Sequence, residues 1–145
     1  MWFDLSKIEK KKAKCYCINI RRAANAVTAY YDNILKPLDI TITQYSMLSS
    51  IHTLKACNTS DLAAHMGLDR TSMVRNLKVL VKKELVIVTV ENQRKKTNSL
   101  SKKGKDTLEK ARSLWDNAQK ELDEYLGAEN IQKLLEITQK LEELP

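Results

Sequence analysis

The side chains best suited to binding chemistry in this 145-residue chain lie close together near its middle. At about 100° per residue, one face of a helix over residues 70–83 carries hydroxyl, amide, guanidinium and ammonium groups. They belong to Ser72, Arg75, Asn76, Lys82 and Lys83, with Val79 among them. Such groups can reach base edges and phosphates, so the pattern predicts a helix that reads DNA. A solvated basic face on an ordinary helical protein is the alternative.

A helix-turn-helix over residues 58–83 is predicted to position this face. In its first helix Thr59 or Ser60 can act as the N-cap, and Asp61 places a negative charge in the first turn, where it is favourable. The apolar side of that helix is formed by Leu62, Ala63 and Met66. Gly67 can adopt a positive φ and is predicted to end it.

The second helix is predicted to start next to Leu68, which fills the corner, and Asp69, a natural N-cap. Val74, Leu77 and Val81 follow one another at spacings of three and four, so they share one face. This apolar stripe is expected to hold the helix against the core while the opposite face stays free.

A short β-hairpin is predicted directly after this helix. Residues 86–90 are mostly β-branched and favour a strand, residues 91–96 form a polar tip, and residues 97–100 can return. The tip carries three basic residues, Arg94, Lys95 and Lys96. Because an arginine can enter a narrow minor groove, the hairpin is interpreted as a DNA-contacting wing. A surface hairpin with a charged turn is the alternative, but the position after the helix-turn-helix favours a wing.

Long amphipathic helices flank this central unit. Apolar residues recur at steps of three and four over residues 15–36, 101–126 and 128–144. A shorter helix over residues 40–55 has a capping box, Thr41 and Gln44, and a hydrophobic staple, Ile40 and Tyr45. The fold class is therefore predicted as mainly α with a small β-hairpin wing, a winged helix-turn-helix with long terminal helices.

The long helices have more apolar surface than one small winged domain needs. Residues 40–100 are predicted as the DNA-binding lobe, and residues 12–38 with 101–145 as a helical dimerisation lobe, within one chain of residues 1–145. Steps averaging 3.5 residues suit helix-on-helix packing, so a homodimer is predicted. A single-chain helical bundle is the alternative.

The charge distribution indicates a polyanionic partner for one half of the chain. Residues 1–105 carry 20 Lys and Arg against 8 Asp and Glu, whereas residues 106–145 carry 5 against 10. The basic part contains the helix-turn-helix, as expected for a protein that binds nucleic acid. Before it, residues 1–14 contain Lys10 and Lys11 and are expected to be a loosely held arm or a helix start.

Other function classes find little support in the sequence. No apolar run is long enough to cross a bilayer, and the start has its apolar residues before its charges, unlike a secretory signal, so no membrane association and a cytoplasmic location are expected. No nucleophile–base pair or phosphate loop is recognisable, so an enzyme is not expected. Cys15 and Cys17 would point about 200° apart on a helix, and His52 and His65 have no ligand-like spacing to them, so neither a metal site nor a cofactor is predicted.

The order of elements and three segments together resemble a known family. The segments are RRAANAVTAYYDNILKPLDITITQYSMLSSI, TSDLAAHMGLDRTSMVRNLKVLVKKELV and, after the wing, LSKKGK, which contains Gly104. They resemble the MarR family of bacterial and archaeal transcription regulators, over about residues 15–144. The resemblance implies a homodimeric winged helix-turn-helix protein, a repressor, that binds pseudo-palindromic double-stranded operator DNA. It also implies a small amphipathic or phenolic effector, bound in the crevice between the dimerisation helices and the DNA-binding lobe.

The resemblance assigns roles to individual residues. Bases or nearby phosphates would be met by Thr71, Ser72, Arg75 and Asn76. Arg70 and Lys82 would be positioning contacts, and Arg94 would be the wing arginine. Two departures affect these roles, because Asn92 and Gln93 replace the family's aspartate before the wing arginine, and Glu84 replaces the glycine that usually ends the recognition helix.

Cys17 carries a second resemblance. It falls where organic-hydroperoxide sensors of the same family keep a reactive cysteine, and nearby Lys14 and Arg21 could favour a thiolate. The tyrosine usual in those sensors four residues later is Arg21 here. Two alternatives therefore remain for Cys17, a thiol-based peroxide sensor and a buried unreactive cysteine. For the whole chain, a further alternative is a winged-helix protein-interaction module that does not read DNA. The last would be expected to lack Arg75, Asn76 and Arg94, which this chain has.

Overall fold

The computed structural model describes residues 12–92 and 94–145. The predicted arm, including Lys10 and Lys11, lies mostly outside the described residues, as does Gln93 of the wing. The elements are α1 (Tyr16–Leu35), a 3₁₀ turn (Lys36–Leu38), α2 (Ile42–Leu54), α3 (Thr59–Met66), α4 (Arg70–Lys82), β1 (Val86–Glu91), β2 (Lys95–Leu100), α5 (Lys102–Leu126) and α6 (Ala128–Glu142). The predicted mainly helical fold with a hairpin after the helix-turn-helix is confirmed.

The α1–α2 corner forms as the sequence predicts. Pro37 lies two residues after Leu35, the last residue of α1, and the chain turns through Asp39, whose φ is 53°. The capping box at the start of α2 is complete, because the Thr41 hydroxyl accepts from the Gln44 amide and the Gln44 side chain accepts from the Thr41 amide. Asp32 of α1 accepts from the Ile42 amide at 2.7 Å, which joins the two helices at this corner.

The core lies between α2, the helix-turn-helix, the wing and the first half of α5. Its largest fully buried side chains are Leu35, Met47, Leu48, Ile51, Leu62, Met73, Leu80 and Leu108. Trp115 of α5 stacks on Tyr45 of α2 with ring centroids 6.0 Å apart, so α5 packs directly on α2 as well as on α1.

The turn between α3 and α4 is built by local caps. Asn58, rather than the predicted Thr59 or Ser60, is the N-cap of α3, because its side chain accepts from the Asp61 amide at 2.7 Å. Gly67 ends α3 with a φ of 63°, as predicted. Leu68 does not fill the corner, since it remains 37% exposed.

The apolar stripe of α4 differs from the prediction. The buried residues are Met73, Leu77 and Leu80, whereas Val81 is exposed and Val74 is only partly buried. The helix is therefore rotated by roughly 70° about its axis relative to the predicted orientation, given about 100° per residue. The longer side chains of Met73 and Leu80 bury more apolar surface than the two valines would, which favours the observed orientation.

The wing is an antiparallel hairpin whose second strand starts earlier than predicted. Lys95 pairs with Glu91, and Lys96 pairs with Val90, so both lysines belong to β2 and not to the tip. Arg94 remains in the loop between the strands. Buried Asn98 joins the wing to the loop before α3, because its backbone exchanges two hydrogen bonds with Cys57, of 3.1 and 2.8 Å.

Two backbone segments, residues 83–85 and residues 101–104, pack against each other where α4 ends, the wing begins and α5 begins. We call this contact the Leu85 junction. Glu84 adopts a φ of 60°, and the Leu85 amide bonds to the Leu80 carbonyl, which is a Schellman ending without glycine. The Leu85 carbonyl then accepts from the Ser101 amide at 3.1 Å. The Ser101 hydroxyl also caps α5 by accepting a hydrogen bond from the Gly104 amide.

The terminal helices leave much apolar surface uncovered. Along α6, Leu134, Leu135, Ile137 and Leu141 are 38–60% exposed, and in α1 Ile18, Ile20 and Val27 are 41–47% exposed. The α1 stripe is buried only near its end, at Tyr31 and Leu35. No helix in the described part of the chain is both long and apolar enough to cross a membrane.

Gly104 provides a test of the Leu85 junction. A Cβ at this position would overlap the Leu85 carbonyl oxygen and lie 3.0 Å from the carbonyl carbon, and neither can move without disturbing the end of α4. We expect Gly104→Ala to lower the free energy of unfolding by about 1–3 kcal/mol or more, measured by urea denaturation. Lys105→Ala, at an exposed position on the same turn, is the control and should change it by less than about 0.5 kcal/mol. Equal stability of the two variants would contradict the proposed close approach.

Candidate nucleic-acid interface

The exposed face of α4 carries a set of basic and hydroxyl side chains. Opposite the buried stripe lie Thr71, Arg75, Lys78 and Lys82, all exposed. Three of these were predicted from the sequence, whereas Lys78 was missed because the apolar stripe had been placed on Val74 and Val81. The observed face is thus more basic than the predicted one, and its long side chains are free to extend toward a polyanion.

Ser72 and Asn76 lie at the edge of this face, not at its centre. Both are partly buried, and the Asn76 amide nitrogen donates to the Ser72 carbonyl of its own helix at 2.9 Å. The Asn76 side chain keeps one amide hydrogen and its carbonyl oxygen for another partner. The structure therefore places these two residues less favourably for base contact than Thr71 and Arg75.

The first turn of α4 is fixed by its cap. The Asp69 carboxylate accepts from the Ser72 amide at 2.9 Å, and this hydrogen bond lowers the pKa of Asp69. The charged cap is therefore present at neutral pH and would be lost only as the pH falls through the lowered pKa. It orders the turn on which Arg70 and Thr71 are exposed.

A hollow of about 650 Å³ lies along the exposed face of α4. Its lining residues are Arg70, Thr71, Val74, Arg75, Lys78 and Val79. We call it the α4 hollow. The two valines are partly buried and lie about 140° apart around the helix, and the four other residues, three of them cationic, are exposed.

A second concavity of about 490 Å³ separates α4 from the wing. Its apolar part includes Val74, Leu77, Val81 and Val88, and its cations are Arg70, Lys78, Lys82 and Lys96. Lys96 therefore faces α4 across the cleft, which is a different place from the tip position predicted for it. A phosphate backbone passing between helix and wing would meet positive charge from both sides.

Arg94 is exposed in the loop of the wing and does not line the cleft. Its amide donates to the Glu91 carbonyl at 3.4 Å, which closes the turn next to Asn92, whose φ is 49°. Lys95, on β2, is exposed beside it. The wing thus presents basic side chains both at its loop and along its second strand.

Lys83, which the sequence places on the DNA-reading face of the helix, is instead the partly buried C-cap residue of α4. Its ammonium group lies 3.3 Å from the Asp39 carboxylate and also donates to the Asp39 carbonyl, so it ties the end of α4 to the α1–α2 corner. Lys103 of α5 donates to the Lys83 carbonyl at 3.0 Å. No local sequence signal could reveal these contacts, since they join residues 44 and 20 positions apart.

A polar hollow of about 500 Å³ lies beside this tie. It is lined by the end of α1, the start of α2 and Lys83 of the α4 C-cap, including Asp32, Asn33, Lys36, Thr41 and Gln44. The position corresponds to the crevice between the helical lobe and the DNA-binding lobe that was predicted for an effector. A ligand there would contact both sides of the Lys83–Asp39 tie.

The three cysteines differ in their surroundings. Cys15 is the N-cap residue of α1 and Cys17 lies in its first turn, and both are exposed. Cys57 is buried, and burial raises the pKa of its thiol, which favours the unreactive protonated form. Within the described residues, no cluster of three or more His, Cys, Asp or Glu is arranged to hold a metal ion.

Comparisons with known proteins agree with this architecture. Residues 40–96 match the model of the MarR family. The chain is 32% identical to the M. tuberculosis transcriptional regulator MosR, covering 90% of this chain and 98% of that one with a TM-score of 0.76. In a structure of MosR in complex with DNA the identity is 35%, the coverage 89% and 97%, and the TM-score 0.75. A cysteine-to-serine mutant of E. coli MarR complexed with operator DNA is 24% identical, with coverage of 89% and 93% and a TM-score of 0.78, and this likeness concerns the fold.

Proposed function

Because the chain belongs to the MarR family, we propose that it is a homodimeric transcription regulator that binds operator DNA in a sequence-specific manner. In this proposal α4 enters the major groove and the wing approaches the adjacent minor groove. The proposed base contacts are Thr71 and Arg75, with Ser72 and Asn76 at the edge. The phosphate and minor-groove contacts are Arg70, Lys78, Lys82, Arg94, Lys95 and Lys96. Repression, by occupying a promoter, is the proposed direction of control.

The observation that carries the proposal is the exposed, basic face of α4 beside a basic wing. Thr71, Arg75, Lys78 and Lys82 face away from the core, and Lys96 faces them across the cleft. An α-helix fits the major groove, where an arginine can pair with the O6 and N7 atoms of a guanine. The relatives solved with DNA support this reading, since MosR and E. coli MarR are described in such complexes.

The uncovered apolar surface of α1 and α6 supports the dimer. Large apolar side chains at these positions are normally buried, and a second copy of the same helices offers a matching apolar surface. Two copies would place two α4 helices on one side of a duplex, one for each half of a palindromic site. A small change in the distance between them would then alter affinity, and the hollow beside the Lys83–Asp39 tie is the proposed place for an effector to cause it.

Selection of bound sequences from a random duplex library tests the central claim. We expect a single palindromic consensus at near-physiological salt, because base contacts and not only charge determine binding. Recovery of unenriched sequences would contradict the proposed function and would favour the alternative of a winged-helix module that does not read DNA.

Arg75→Ala is expected to weaken binding to the selected site by about 1–3 kcal/mol and to relax base preference at one position. Lys82→Ala is the matched comparison on the same exposed face. It should weaken binding to all sequences similarly and reduce the salt slope by about one unit, as loss of a phosphate contact does. Salt-dependent titrations on cognate and scrambled duplexes distinguish the two. If Arg75→Ala weakened both duplexes equally, its base-reading role would be wrong.

Ile137→Glu in α6 is expected to shift the protein from dimer to monomer, since a charge would replace a 57% exposed apolar side chain in the proposed interface. Sedimentation equilibrium measures the mass, and operator titration should show weaker binding because the two half-sites are no longer linked. Gln139→Glu adds the same charge at an exposed polar position of the same helix and is the control. A monomeric wild-type protein would refute the dimer.

Oxidant control through Cys17 is the second mode of regulation that we propose, because this thiol is exposed in the described part of the chain. An organic hydroperoxide would oxidise the thiolate to a sulfenic acid and would itself be reduced to the alcohol. We expect treatment to weaken operator binding in the wild-type protein but not in Cys17→Ser, while Cys15→Ser should respond like the wild type. Unchanged affinity after oxidation, or an equal loss in Cys17→Ser, would exclude this mode.

A further inference from the structure

A further hollow, of about 430 Å³, lies between α1 and the C-terminal part of α5, and we call it the α1–α5 hollow. Its lining residues are Ala26, Val27, Tyr30, Glu121, Leu122 and Tyr125. On each helix these are positions i, i+1 and i+4, which lie within about 100° of one another around the axis. The two sets therefore line one shared space. None of the six belongs to the proposed DNA contacts or to the hollow beside the Lys83–Asp39 tie.

One end of the α1–α5 hollow carries a negative charge. The helices run antiparallel here, since the Tyr31 hydroxyl donates to Gln119 and the Tyr30 hydroxyl donates to the Glu121 carboxylate, the latter at 2.6 Å. The hydrogen bond with Glu121 raises the pKa of Tyr30 to about 12, so the phenol keeps its proton at neutral pH. The carboxylate has two oxygens, and its remaining lone pairs can accept from another donor. Of the six lining residues, only Glu121 is charged.

The rest of the α1–α5 hollow is apolar and open to solvent on one side. Val27 is 46% exposed and Tyr125 is 84% exposed, and two of the lining side chains are aromatic. Apolar walls favour a ligand whose own apolar surface leaves water on binding. Aromatic faces attract a cation and a carboxylate pairs with one, so both features select the same sign of charge. The volume is in the range of small-molecule sites.

We propose that the α1–α5 hollow binds a small organic cation with an apolar body, of the class of arylmethyl ammonium compounds. The apolar body contacts Val27 and Leu122, and the cationic group lies beside Glu121 and the tyrosine rings. An organic anion is repelled by Glu121, and a neutral compound gains only the apolar contact. This ligand class differs from the phenolic effector that the family resemblance implies, and its site differs from the hollow beside the Lys83–Asp39 tie.

The proposed dimer shares one residue with this site. Val27 also belongs to the exposed apolar surface of α1 that a second copy is proposed to cover, so the α1–α5 hollow opens at the dimer surface. The exposed side chains of α6 that a second copy offers are mainly leucine and isoleucine. Such a surface would bury the Glu121 carboxylate without a partner, which is costly, whereas an organic cation neutralises it. The charge of the hollow therefore favours the ligand over a second copy.

Three compounds that share a naphthalene ring and differ in charge test the site. Isothermal titration calorimetry of the wild-type protein measures the Kd of (2-naphthylmethyl)trimethylammonium, of 2-naphthalenemethanol and of 2-naphthylacetate. We expect the cation to bind about three- to thirtyfold more tightly than the alcohol, as one cation–π contact and one exposed ion pair together predict, and the anion to bind most weakly. Equal affinities of the three compounds, or no binding of the cation, would overturn the proposal.

Glu121→Gln removes the charge but keeps an oxygen that can accept from the Tyr30 hydroxyl. We expect it to bind the cation about two- to fivefold more weakly than the wild type does, with the affinity for the alcohol unchanged. Glu124→Gln removes the same charge from an exposed carboxylate of α5 outside the lining and should bind the cation like the wild type. An equal loss in the two variants would show general charge attraction and no site. Thermal unfolding of each variant shows whether it is folded.

Two further variants identify what occupies the hollow. Ala26→Trp places an indole in the space and should abolish binding of all three compounds, and binding that persists would place them elsewhere and overturn the proposal. If the monomeric Ile137→Glu variant bound the cation and the wild-type dimer did not, a second copy would fill the hollow and the ligand site would be wrong. A failure of the proposed function is distinguishable, because these titrations contain no DNA.

Discussion

The relative positions of helix, wing and long helix depend on one close backbone approach at the Leu85 junction. Gly104 has no Cβ, and this lets the first turn of α5 contact the Leu85 carbonyl. Within the same few residues α4 ends, β1 begins, and Ser101 bonds both to the Leu85 carbonyl and, through its hydroxyl at 2.6 Å, to the Glu84 carbonyl. A change in the direction of α5 would therefore be transmitted to α4 through a stiff, hydrogen-bonded connection.

The junction has an energetic weakness at Glu84. A residue with a side chain in the left-handed region is less stable there than glycine by about 1 kcal/mol. The cost is offset by the Schellman hydrogen bonds and by the burial of Leu80 and Leu85 on the two sides of the turn. The departure from the family's usual glycine therefore does not change how the helix ends. The positive φ of Glu84, however, depends on the hydrogen bonds and buried leucines around it.

Lys83 extends the same connection to the other side of the protein. Its ammonium group reaches Asp39, and its carbonyl accepts from Lys103, so α1, α4 and α5 are linked around one residue. The Asp39 side chain is largely exposed, which means that salt screens this ion pair and that it is a weak tie. A ligand that binds in the hollow beside this weak ion pair would need only a small binding free energy to replace it, which would allow regulation.

The sequence alone determined the features that depend on near neighbours. The capping box of Thr41 and Gln44, the Asp69 cap and the Gly67 helix end all form as predicted, since each needs only residues within about one turn. The order of elements, the wing after α4, and the family resemblance follow from these signals and from hydrophobic periodicity. Arg75 and Lys82 of the exposed α4 face could be named for the same reason, whereas Thr71 was named only through the family resemblance.

Tertiary structure decided which side of α4 faces the core and where β2 begins. The sequence offers two apolar stripes on α4, and only packing against α2 and the wing selects Met73, Leu77 and Leu80 over Val74 and Val81. That choice exposes Lys78 and creates the α4 hollow. Pairing with β1 likewise assigns Lys95 and Lys96 to a strand. In both cases the deciding contacts join residues far apart in the chain, so no local sequence pattern reflects the free energies of these contacts.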